Sequence, residues 1–194
     1  MNSTDLAAVV AECTAHLRSA LDADWVADIP GMEWTPAKAV AHIAEGLLWY
    51  STDFAAGPRE LSTMQMGVAP EKSPEELVAT VEAFGTVLVR VLEGAAEGAR
   101  GWHPMGMADA SGFAAMGCDE LLVHTWDAAE GLRRPFTPSA GPAERTLRRL
   151  FPWAPDDHDS WTTLLWANGR ADLPCRPRQV NWRWHCAPLS ERDS

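Results

Sequence analysis

The sequence predicts a mainly α protein: a four-helix bundle with long crossover loops over residues 1–135, then a short C-terminal α/β extension over 136–194. Three observations point there. Four stretches carry apolar residues at the 3.6-residue period of an amphipathic helix. Three of them open on recognisable N-cap residues. The last two inter-helix connections are long and rich in Gly and Pro, which permits parallel neighbours in a bundle.

The first stretch, residues 4–25, places Leu6, Val10, Cys13, Leu17, Leu21 and Trp25 on one stripe, with Ser3 or Thr4 as its cap. His16 falls off that stripe and reads as a surface residue. Thr35-Pro36 opens the second helix with an N-cap followed by proline at the first helical position. That helix runs toward Gly57, with Val40, Ile43, Leu47, Tyr50 and Phe54 facing a core. Beside them Ala39, His42, Glu45, Gly46, Trp49 and Asp53 form a neighbouring stripe. Residues 57–72 form a crossover. Ser73-Pro74-Glu75-Glu76 is a capping box, and Leu77, Val81, Phe84, Leu88 and Val91 carry the third helix to about Glu93.

The second long connection, 94–110, holds Trp102-His103-Pro104, with His103 read as a loop histidine near the entrance to the fourth helix. That helix, residues 111–131, takes Phe113, Met116, Leu121, Val123 and Trp126 as apolar cover and Gly131 as its C-terminal stop. A basic helix from Pro142 to Leu150 and a short one from Ser160 to Asn168 follow. Val180, Trp182, Trp184 and Cys186 then alternate with polar residues at the period of a strand.

The chemistry concentrates in the fourth helix. Glu120 and His124 are four residues apart, so both side chains lie on one helical face with Cβ atoms roughly 6 Å apart. A carboxylate and an imidazole so placed can close on one divalent cation. The surrounding Leu121, Leu122 and Val123 make that face largely buried, where an unpaired carboxylate is costly. Asp127, one turn beyond His124, can lean back as an acceptor that orients the imidazole. His42 on the second helix supplies a third ligand. Two histidines and one carboxylate with an open fourth position suit a catalytic zinc site; non-haem iron can use the same trio.

Composition narrows the partners. The 194-residue chain has a formal charge of −11, which argues against nucleic acid or an anionic membrane as partner. No run approaches the roughly 18 apolar residues of a membrane span, and the N-terminus shows no signal-peptide pattern, so a cytoplasmic location is expected. Cys13, Cys118, Cys175 and Cys186 lack metal-binding spacing and read as reduced thiols, mostly buried. Self-association as a homodimer stays open.

The Trp-Thr-Pro start of the second helix with His42 at its middle, and Gly-Phe-Ala-Ala-Met followed by Glu-Leu-Leu-Val-His-Thr-Trp-Asp in the fourth, resemble the DinB superfamily. Within it they are most similar to the N-terminal domain of mycothiol-dependent maleylpyruvate isomerase, over about residues 5–132. The resemblance implies metal ligands at His42, Glu120 and His124, a zinc or other divalent cation, and mycothiol or a similar thiol as cosubstrate. The implied reaction is attack of the activated thiol on a small electrophile, ending in transfer or isomerisation. Glu45 and Asp127 are then expected to tune or relay protons. Trp49, Trp102 and Arg183 are expected to contact the bound thiol. A metal-activated hydrolase and a non-catalytic ligand-binding bundle are the competing readings.

Overall fold

A computed structural model describes residues 1–192. Four long helices form the body: α1 (Ser3–Arg18), α2 (Pro36–Ala56), α3 (Pro74–Glu93) and α4 (Ala110–Leu132). α1 packs on α3 and α4, and α2 packs on the same two, so α1 and α2 stand on one diagonal of the bundle. The core between them is largely aliphatic. Leu6, Leu17, Ile43, Leu47, Leu77, Leu88, Leu121 and Leu122 all lie fully or almost fully buried, each contributing about 1.5–3 kcal/mol of transfer free energy. Among the described residues no helix is long and apolar enough to cross a membrane.

Local chemistry accounts for most helix starts. Thr35 caps α2 by accepting the Lys38 N–H, and Ser73 with Glu76 closes a capping box on α3. At α1 the cap is Asn2, one residue before the expected Ser3 or Thr4. Asn2 accepts from the Asp5 N–H while Asp5 accepts from the Asn2 N–H, a reciprocal arrangement. α1 also stops at Arg18, short of Trp25. The Ser19 hydroxyl donates to the His16 carbonyl and the Trp25 indole to the Ala20 carbonyl. These side-chain bonds turn the backbone out of the helix while Trp25 still reaches the core. Gly131 does not end α4 either. The left-handed residue is Arg133 (φ 54°), and Gly131 instead lets α4 approach Pro36, whose Cγ lies 2.8 Å from where a Cβ would stand.

A two-residue antiparallel ladder, β1 (Arg100–Gly101) with β2 (Ala108–Asp109), folds the long α3–α4 connection back toward the end of α2. Trp102 N–H donates to the Gly57 carbonyl at 3.0 Å. Gly101 sits so close to Phe54 and Phe113 that a Cβ would meet both at 2.7 Å. This contact fixes Trp102 and His103 beside the middle of α2.

The C-terminal residues wrap α4. α5 (Ala140–Leu150) and α6 (Ser160–Ala167) are joined to it by largely buried polar bonds, and a 3₁₀ turn (Leu189–Glu191) pairs Glu191 with Arg100 of β1. Asp119 accepts from Asn168 Nδ2 and Trp184 Nε1, each at 3.0 Å. Arg149 donates to Asp109, Ser111 and the carbonyls of His185 and Cys186. The strand expected at 180–186 is absent among the described residues. Trp184 and Cys186 are buried, which explains the alternation, but the segment meets helices and not a sheet edge. Its register comes from His185 N–H donating to the Leu150 carbonyl and from Asn181 at φ 57°.

Candidate metal centre and its pocket

α2 and α4 pack face to face, and this brings His42 against Glu120 and His124. One ligand atom from each lies within 4.8 Å of the other two. Glu120 Oε2 is 3.2 Å from His124 Nε2 and 3.6 Å from His42 Nε2. That oxygen is buried and, among the described residues, makes no well-aligned hydrogen bond. The other carboxylate oxygen, Oε1, accepts from the Tyr50 hydroxyl at 2.8 Å. Glu120 is thus held by one oxygen and presents the second, bare, toward two imidazole nitrogens.

The far side of His124 is equally constrained. Its Nδ1 lies 2.9 Å from Asp127 Oδ2, and Asp127 also accepts from Arg170 Nη2 at 2.9 Å. Nδ1 bearing the proton leaves the Nε2 lone pair facing Glu120 and His42. The Trp34 indole covers both imidazoles, with ring centroids 5.0 Å from His42 and 5.6 Å from His124. Its place just before the α2 cap puts it there.

Electrostatics follow from this packing. Burial disfavours a charged His124, yet Asp127 and Glu120 outweigh it and hold its pKa up at about 9. Burial likewise disfavours ionised Glu120, and His124, His42 and Tyr50 together bring it down to about 2. Burial pushes His42 below its usual value. An anionic oxygen beside two aromatic nitrogens, with a matching acceptor behind one of them, fits a divalent cation of the zinc type.

A cavity of about 380 Å³ opens from His42 and Glu120. Trp49, Trp102, Glu45, Asp53, Glu60 and His103 line it. Glu45 accepts the Val68 N–H at 2.7 Å and so ties the α2–α3 crossover to the wall. Asp127 lies behind His124 and outside the cavity lining. Arg183 is exposed and also outside it. Sequence reasoning missed three residues of the centre: Tyr50, Trp34 and Arg170. Tyr50 was legible only as an apolar-stripe residue, although it is two helical turns beyond His42.

Asp53 adds a measurable property. Burial first, then Glu60, pushes its pKa up to about 6 from 3.8. A raised folded-state value means that its favourable contribution is complete below about pH 3.8 and is lost as pH rises through about 6. Asp53→Asn is therefore expected to stabilise the fold by on the order of 1–2 kcal/mol at about pH 8, with the gain shrinking toward about pH 5. Urea unfolding at both pH values checks the sign.

Residues 6–129 match the family model described as the mycothiol maleylpyruvate isomerase N-terminal domain. No curated protein and no solved structure matches the chain. The matched span contains His42, Glu120, His124 and Asp127 and stops short of Arg170.

Proposed function

The chain belongs to the mycothiol maleylpyruvate isomerase N-terminal domain family, and from that premise we propose that it activates a low-molecular-weight thiol, mycothiol or a close analogue, for attack on a small electrophile. The observation that carries this reading is the convergence of His42, Glu120 and His124 around one buried carboxylate oxygen, without a well-aligned hydrogen bond, at the head of a cavity. A divalent cation bound there, zinc by ligand type, would supply a Lewis acid that lowers a thiol pKa from about 8.5 toward neutrality.

The chain's own residues set up that chemistry. His42, Glu120 and His124 would hold the cation, and the cavity leaves one side of it open to the thiol. Tyr50 restrains Glu120 Oε1, so the carboxylate cannot rotate its free oxygen away. Asp127 fixes the His124 tautomer and, backed by Arg170, prevents the ring from turning. Trp34 packs against both imidazoles and limits how far they can turn. Glu45, on the cavity wall with one oxygen held by the Val68 N–H, would accept the thiol proton through its other oxygen.

The test is direct. Purified protein mixed with mycothiol and a small electrophile should consume free thiol in a zinc-dependent way, and His124→Ala should reduce the rate by at least about 100-fold. Equal thiol consumption by wild type and His124→Ala would remove the reading.

A further inference from the structure

The cavity has a charge pattern that the metal ligands do not explain. It follows one face of α2, on which Gly46, Trp49 and Asp53 succeed His42 at helical spacing. His42 and Asp53 are separated by about 16 Å of helix axis at 1.5 Å per residue. The far end of the cavity is therefore a small molecule's length from the metal ligands.

Asp53 is 6 % exposed. Among the described residues no donor and no cation reaches its carboxylate, and the charged neighbour that acts on it is a second carboxylate, Glu60. A nearly buried carboxylate facing another without a counter-ion is destabilising. Asp53 caps no helix and closes no ion pair, so the fold gains nothing from it.

Away from the carboxylates of Asp53, Glu60, Glu45 and Glu120 the wall is largely aromatic. Trp49, Trp102 and Tyr50 contribute ring faces, and burial pushes the His103 pKa down to about 4, leaving that ring neutral near pH 7. No lysine or arginine lines the cavity. A dicarboxylate entering here would meet Glu45 near His42, and Asp53 and Glu60 at the far end with no balancing charge there. A cation would meet two carboxylates and indole faces, the groups that recognise ammonium ions.

We infer that the molecule bound in this cavity is a small organic cation, with an ammonium group seated between Asp53 and Glu60 and its reacting end toward His42 and Glu120. The inference rests on the reaction proposed above in taking this cavity as the substrate pocket, and it sets dicarboxylates aside as substrates of this chain.

Isothermal titration of the full-length chain, stripped of metal so that no carboxylate probe is captured by it, decides the matter. Phenethylammonium should bind at least about tenfold more tightly than the neutral phenethyl alcohol, and phenylpropionate should bind more weakly still. Asp53→Asn should weaken phenethylammonium binding by about tenfold, and Glu60→Gln, at an exposed position, should weaken it by a smaller factor. Phenylpropionate binding as tightly as phenethylammonium would overturn the inference. So would equal phenethylammonium affinity in wild type, Asp53→Asn and Glu60→Gln. The thiol assay on the zinc-loaded protein is read in parallel. Cation preference without zinc-dependent thiol loss supports the cationic pocket and overturns the reaction. Thiol loss without cation preference overturns the pocket's charge selectivity and spares the reaction.

Discussion

Glu120→Gln is expected to abolish the metal centre while leaving the bundle folded. Wild-type protein should carry about one zinc per chain by elemental analysis after zinc loading and desalting; the variant should carry almost none. The amide matches the carboxylate in shape and can still take the Tyr50 hydrogen bond at one end. It lacks the negative charge that would make Oε2 a strong ligand between His42 and His124. Metal binding to the native state stabilises it by about 4 kcal/mol at a thousandfold excess over Kd, which is about 10 °C in Tm for a chain of this size. Zinc should therefore raise the melting temperature of wild type by that order and leave Glu120→Gln unchanged. A variant that binds zinc within about tenfold of wild-type affinity would show that Glu120 is not a ligand.

The helices, most of their caps and the Glu120–His124 pair were legible because each depends on local spacing. Thr35-Pro36, Ser73-Pro74-Glu75-Glu76 and the Glu120–His124 interval act within one or two turns, where the backbone geometry is set by the helix itself. The remainder depends on contacts between distant stretches. Trp184 and Cys186 alternate like strand residues because α4 and α5 offer them a buried face, and the sequence carries no signal that the opposing surface is helical. Tyr50 sits on the edge between the apolar stripe and the His42 stripe, and only the position of α4 decides that its hydroxyl meets Glu120. Arg170 was invisible for the same reason: its partner Asp127 is 43 residues earlier. The charge character of the cavity was hidden as well, since Asp53 could be placed on the His42 face of α2 while its lack of a counter-ion could not.

Removal of Asp127 is expected to cost more than removal of any other residue that does not touch the cation. Its carboxylate is 2 % exposed and joins His124 Nδ1 to the Arg170 guanidinium, each at 2.9 Å. Asp127→Ala leaves a buried Nδ1–H without an acceptor and a largely covered guanidinium without its anion, a change that typically destabilises by 3–5 kcal/mol. With the ring no longer fixed, zinc affinity should fall by about 10–100-fold. Asp127→Asn separates the two effects, because its one amide oxygen can accept from His124 or from Arg170 but supplies no charge to either. A double-mutant cycle of Asp127→Asn with Arg170→Met, read in zinc affinity, should then show a coupling of about 0.5–3 kcal/mol. Additive effects would mean that Arg170 supports α6 and nothing more. Coupled effects would mean that a residue outside the matched 6–129 span tunes the ligand field of His124. In that case the bundle cut at 132 should bind zinc as weakly as Arg170→Met does, or more weakly, since truncation also removes the Asn168 and Trp184 bonds to Asp119, the residue next to Glu120 on α4.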